Sequence, residues 1–118
     1  MLKLNHKNLD VWQLAVKFVS LIYKITSEYP SYELFGLTNQ TRRASVSISA
    51  NIAEGSSRKS LVERKRFYEI ARSSLVEVDN HFEVAKELNY LSDDSLNEIN
   101  NYMNELFAKL SKLINKAK

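Results

Sequence analysis

The chain has 118 residues, of which 44% are hydrophobic and 26% charged, with two Gly, one Pro and no Cys. That balance suits a single helical domain over residues 1–118, and it excludes a disordered chain, a disulfide framework and a thiolate metal site. The net charge of +3 is unevenly spread: residues 1–33 carry four Lys against three acids, 34–76 eight Lys or Arg against three, and 77–118 five Lys against eight.

Met1 to Asp10 mixes charged and apolar residues and lacks the apolar core of a signal peptide. No window holds the roughly 18 uncharged apolar residues of a membrane span. The expectation is a soluble cytoplasmic protein with no membrane partner.

In chain order, the first helix is expected from Asn8 or Asp10, either of which can cap it, to about Ser27, where Tyr29, Pro30 and Ser31 break the pattern. Heptad spacing gives this helix two apolar seams. One is Val11, Leu14, Phe18, Leu21 and Ile25; the other, rotated by about 100°, is Trp12, Ala15, Val19, Ile22 and Thr26. So broad an apolar circumference predicts burial on more than one side. The second helix is expected from Gly36 or Leu37 to Ser56, with Leu37, Thr41, Ala44, Ile48 and Ile52 inward, Val46, Ala50 and Ala53 on another side, and Gly55 as its stop. Its run of Ala and Ser allows a neighbouring backbone to come close.

The third helix opens on a capping box, Ser60 with Glu63, follows Tyr68, Ala71, Leu75, Val78, Phe82 and Ala85, and ends near Asn89. The fourth is introduced by Ser92, Asp93 and Asp94 and follows Leu96, Ile99, Met103, Leu106, Leu110, Leu113 and Ala117. Short polar connections between four such segments predict an all-α, antiparallel up-down-up-down four-helix bundle with left-handed packing. Apolar faces left over on the first two helices predict a homo-oligomer, with Val11, Leu14, Phe18, Leu21, Ile25, Val46, Ala50 and Ala53 as its interface.

Catalytic chemistry finds little footing. A di-iron bundle needs paired Glu-x-x-His motifs, whereas this chain has two His, with His6 in a segment expected to fray and His81 four residues from Glu77. There is no nucleophilic Cys, no G-x-S-x-G, no Walker loop and no G-x-G-x-x-G. Asp93 and Asp94 are better explained as a helix start than as magnesium ligands, and Tyr23, Phe67, Tyr68, Phe82, Tyr102 and Phe107 as core packing. No catalytic residue, metal, cofactor or small-molecule substrate is expected.

A basic cluster stands out: Arg42, Arg43, Arg58, Lys59, Arg64, Lys65, Arg66 and Arg72, interleaved with Glu54, Glu63 and Glu69. Six of its members, Arg42, Arg43, Arg58, Lys59, Lys65 and Arg72, are candidates to contact nucleic-acid phosphates. Solvated surface charge is the plain alternative, and contact with an acidic protein partner is the third. The stripe Arg43, Ser47, Asn51, Glu54 could instead form a buried network between subunits.

The sequence resembles a known family through Asp10-Val11-Trp12-Gln13-Leu14-Ala15, Tyr29-Pro30, Glu33, Gly36-Leu37, Gln40, Arg42-Arg43-Ala44, Val46-Ser47-Ile48 and Asn51-Ile52-Ala53-Glu54-Gly55. The match continues through Phe67, Ala71, Ser74-Leu75, Glu77 and Leu88-Asn89-Tyr90-Leu91. It is similar to the bacterial four-helix bundle proteins encoded in 23S rRNA intervening sequences, over about residues 9 to 115. The resemblance implies a non-enzymatic up-down bundle assembled as a pentameric ring. A related branch, the accessory protein of diversity-generating retroelements, is a basic pentamer that associates with reverse transcriptase and nucleic acid.

Two departures from the family pattern are visible: Ser49-Ala50 replaces its usual Pro-Ser, which should leave the second helix straighter, and Asn89 replaces a common glycine. The expected function is therefore a homo-oligomeric bundle binding RNA or other nucleic acid through a repeated basic surface. The second reading is a protein-interaction scaffold with no nucleic acid.

Overall fold

The computed structural model describes residues 1–117. Its four α-helices are α1 Asp10–Thr26, α2 Leu37–Ser57, α3 Leu61–Glu87 and α4 Asp93–Lys116, with 3-10 turns at Asn5–Asn8 and Ser31–Glu33. Among the described residues there is no strand.

Local chemistry sets most of these boundaries. Ser60 caps α3, its hydroxyl accepting the Glu63 N–H at 3.3 Å. At the other end of α3, Asn89 takes φ 61°, and the chain closes back on the helix through Tyr90 N–H to the Ala85 carbonyl at 2.9 Å and Asn89 N–H to that of Lys86 at 3.0 Å. This is the left-handed helix stop expected of Asn89.

Two expected signals act differently. Neither Asn8 nor Asp10 caps α1; Leu9 holds the cap position without a side-chain bond. Asp10 is the first helical residue, where its charge suits the helix dipole, and its carboxylate meets Lys109 of α4 at 2.5 Å. Gly55 does not stop α2, which runs two residues further, and neither glycine has positive φ. It serves close approach: a Cβ there would lie 2.7 Å from Cε1 of Tyr68 and 3.0 Å from Cβ of Phe67.

Each helix packs against its chain neighbours, and α1 also packs against α4, while the backbones of α1 and α3, and of α2 and α4, stay apart across the diagonals. All four helices feed one core, with Phe18 and Ile22, Ile48 and Ile52, Leu75, Val78 and Phe82, and Ile99, Leu106 and Leu110 at its centre. A second, smaller core of Tyr29, Leu37 and Ala85 lies under Ile25, Tyr90 and Leu91. The molecule measures 44 × 28 × 20 Å.

The α1 packing corrects the sequence reading. The buried stripe is Val11, Ala15, Phe18, Ile22 and Thr26, drawn from both predicted seams, because the inward face of a helix is a band wider than one heptad seam and centred between the two. Val11 and Phe18 are therefore spent inside their own chain and withdrawn from the expected oligomer interface. Leu14, Leu21 and Ile25 flank the core, half-buried against it. On α2, Val46 and Ala50 are exposed and Ala53 is half-buried.

Candidate nucleic-acid interface

The six candidate cations do not form one patch. Arg42 and Arg58 are sixteen residues apart on and just beyond α2, about 24 Å along the axis. Three of the six are engaged with aromatic rings of their own chain. Arg42 lies 4.4 Å above the Tyr23 ring, donates from Nε to the Thr26 hydroxyl at 2.9 Å and from Nη2 to the Tyr23 carbonyl at 3.4 Å. It clasps the end of α1. Arg72 sits over Phe107 at 5.6 Å and donates to Ser111 at 3.0 Å, bridging α3 and α4. Arg58 covers Phe67 at 4.8 Å and pairs with Glu54 at 3.3 Å.

These contacts explain why Tyr23 and Phe107, expected in the core, are exposed instead: a guanidinium over a ring supplies part of the attraction that burial would otherwise give. Arg43 stands apart, exposed in a groove with Gln40, Ser47, Ser74 and Glu77. The polar stripe around it is an intrachain seam between α2 and α3. Ser47 and Ser74 share a hydrogen bond at 3.0 Å, and Asn51 donates to the Ser47 carbonyl and hydroxyl at 2.8 and 3.0 Å.

The connection between α2 and α3 concentrates the remaining cations. Lys59 and Arg66 are exposed and Lys65 half-buried, while Arg64 donates from Nε to the Arg58 carbonyl at 2.5 Å, folding the turn around its own charges. The N-terminal turn packs against α2. Here His6 is buried edge-on against Trp12, with ring centroids 5.0 Å apart, so the segment is anchored, contrary to the expected fraying. The Lys109 hydrogen bond and charge hold the Asp10 carboxyl below its usual value.

The connection between α1 and α2 shows a feature that sequence reading missed. Glu33 turns inward: its carboxylate accepts the Tyr90 hydroxyl at 2.6 Å and the Leu37 N–H at 3.2 Å. The Tyr90 hydroxyl and then that backbone N–H hold its pKa below the usual carboxylate value. Tyr32 and Phe35 point outward, 78% and 91% exposed. No alternation of apolar and polar residues announces such an inverted loop, because the partner Tyr90 lies 57 residues away.

His81 is buried and 3.1 Å from the Glu77 carboxylate. Among the described residues there is no group of three or more metal-ligand side chains, and no helix is long and apolar enough to cross a membrane.

In comparison with known families, the sequence model of a family described as 23S rRNA-intervening sequence protein matches residues 7–112. No curated protein matches the chain.

Proposed function

Because the chain belongs to the 23S rRNA-intervening sequence protein family, which spans residues 7–112 of it, we propose that it is a non-enzymatic, self-associating bundle that meets nucleic acid, RNA in the first instance, with one end. In this reading the helices alternate up-down-up-down with left-handed packing, as short connections favour. Supporting it, α2 and α3 touch through Ser47 with Ser74 and Ser56 with Tyr68, residue numbers rising along one as they fall along the other. Asp10 at the start of α1 meets Lys109 late in α4, and Leu21 and Ile25 further along α1 share a cleft with Ser95 and Ile99 early in α4, which supports the same opposed sense for that pair.

The observation that carries the proposal is an end-to-end separation of charge. Residues 1–17, 48–74 and 105–117, the half holding the α2–α3 connection, carry twelve Lys or Arg against five acids. Residues 18–47 and 75–104, the other half, carry four against nine. The basic end, with Lys59, Lys65 and Arg66 beside the N-terminal Lys3 and Lys7, is the surface suited to phosphates. Arg42 and Arg43 fall in the acidic half, which makes them poor candidates. The family resemblance implies a ring of five copies, and a ring would repeat the basic end along one rim.

Titration against structured RNA across a salt series tests this. Affinity should weaken with salt, and Lys59→Glu, Lys65→Glu and Arg66→Glu should each flatten the salt dependence by about one counterion, while Arg43→Ala changes it little. No affinity at low salt would end the proposal. A second reading, a protein-interaction scaffold, draws on the engagement of Arg42, Arg58 and Arg72 with rings of their own chain. Capture of the same bacterial protein before and after nuclease treatment would favour it.

A further inference from the structure

The connection from α1 to α2 and the turn between α3 and α4 meet through Tyr90. Its hydroxyl holds the Glu33 carboxylate at 2.6 Å, and its ring lies 6.5 Å from that of Tyr32, edge to face. Tyr90 also walls a cleft of about 230 Å³ floored by Leu21, Ile25, Leu91 and Ile99. This is below the roughly 300–1,000 Å³ typical of small-molecule sites, and it fits one or two apolar side chains.

The loop beside the cleft carries its apolar residues outward on a fixed frame. Bonds from the Glu33 N–H to the Pro30 carbonyl and from the Gly36 N–H to the Glu33 carbonyl, both at 2.9 Å, close it into turns. Gly36 makes room for the inward carboxylate, since a Cβ there would lie 2.6 Å from Oε1 of Glu33. Tyr32, Leu34 and Phe35 are left exposed, with their backbone ordering already met in the free chain. Aromatic rings presented in this way are frequent anchors of protein contacts.

The charge around this surface is one-sided. Residues 21–36 carry one Lys against two Glu, and residues 87–98 carry four acids with no Lys or Arg. Asp93 is paired with Lys86 and Glu33 is held by Tyr90. Glu28 and Glu98, which line the cleft with Lys24, form no ion pair among the described residues.

We infer that this surface docks a basic segment of a different protein. An apolar side chain of that segment fills the cleft, its Lys or Arg side chains meet Glu28 and Glu98, and a guanidinium lies over the exposed Tyr32 or Phe35 ring. The inference goes beyond the proposal for the basic end and holds whether or not RNA binds there.

Charge and shape select this occupant. The uncompensated carboxylates repel a polyanion, and they repel the anionic face of a membrane. A second copy does not supply the complement: in the side-by-side ring that the family resemblance implies, every acidic end lies on the same rim and meets only others like itself. The surface is small, and affinity therefore draws on the apolar anchor and the charges together.

Selection of random peptides displayed on phage against the full-length chain tests the inference. Enriched sequences should combine Lys or Arg with a large apolar residue. The leading one, synthesised with a fluorescent label, should bind more weakly as salt rises in anisotropy titrations. Phe35→Ser, at an exposed position, and Glu28→Lys with Glu98→Lys should each lower its affinity at least about tenfold, as should serine in place of the peptide's apolar anchor. Reversing the peptide's charges to Glu should restore binding to the Glu28→Lys, Glu98→Lys chain and not to the wild type. Lys59→Glu with Lys65→Glu, at the basic end, should change peptide affinity little, which separates this site from the RNA proposal. Enrichment of acidic or purely apolar peptides, or of none, would overturn the inference, as would a basic peptide indifferent to the Phe35 change and to the paired Glu28 and Glu98 changes. A Glu28→Lys, Glu98→Lys chain that loses its own assembly in light scattering would overturn it too, by assigning the cleft to a second copy.

Discussion

Replacing Gly55 by alanine sets two effects of similar size against each other. Alanine is the better helix former by about 1 kcal/mol, and Gly55 lies within α2 with ordinary helical φ, so propensity alone would raise stability. The new methyl, however, would sit 2.7 and 2.9 Å from two ring carbons of Tyr68 and 3.0 Å from the Phe67 Cβ. Neither neighbour yields easily. Tyr68 is buried and its hydroxyl is bonded to Ser56 at 3.1 Å, and Phe67 is held under Arg58.

Overpacking of this kind costs about 1–3 kcal/mol. With three close contacts, the upper part of that range applies, and the net is a loss of about 1–2 kcal/mol, which lowers the melting temperature by roughly 4–8 °C in a domain of this size. Thermal unfolding followed by circular dichroism reads the change directly. Tyr68→Leu in the Gly55→Ala background should recover at least about 0.5 kcal/mol of coupling. A Gly55→Ala protein as stable as the wild type, or more so, would refute the close-approach argument and return Gly55 to a residue of no steric consequence.

Three further outcomes follow from local geometry. At Asn89, where φ is 61°, alanine should cost about 1 kcal/mol and glycine should hold or raise stability, a contrast that denaturant midpoints will resolve. The Tyr29 hydroxyl is buried with no partner among the described residues, and burial pushes its pKa up to about 12. A raised value means the stability it permits is complete below the ordinary tyrosine pKa near 10 and is lost as pH climbs towards the folded value. Tyr29→Phe should therefore match or exceed the wild type by about 1 kcal/mol at pH 7 and lose less in alkali; a clear loss at pH 7 would contradict this. Glu33 has a depressed pKa, caused first by the Tyr90 hydroxyl, so its contribution is present above the unfolded carboxylate pKa and disappears as pH falls through the folded one. Melting temperatures between pH 7 and pH 3 should fall less steeply for Glu33→Gln; parallel curves would count against it.

The helices were legible because their signals are local: the Ser60–Glu63 cap, the asparagine at 89 and the regular spacing of Leu96, Ile99, Met103, Leu106 and Leu110 all act within a few residues. The orientation of α1 was legible only in part. Spacing identifies its apolar residues, yet it does not tell which flank of a broad band faces the core of its own chain, so it leaves Val11 and Phe18 among the candidates for an oligomer interface. The candidate site was harder still. Adjacent cations in sequence, Arg42 and Arg43, point to different neighbours, one to the end of α1 and the other to the α2–α3 groove. Charges distant in sequence, such as Lys7, Lys65 and Lys116, belong to the same half in the up-down arrangement proposed above.

The 44 Å length of the bundle gives that polarity a practical meaning. At physiological ionic strength a charge is felt over about 8 Å, so no ligand approaching one tip senses the other, and the formal sum of +3 is a quantity that nothing in solution encounters. A polyanion arriving at the cationic tip would be drawn in, and one arriving at the opposite tip would be turned away. Docking would then be oriented before first touch, and adding salt would erase the orientation together with the speed of capture.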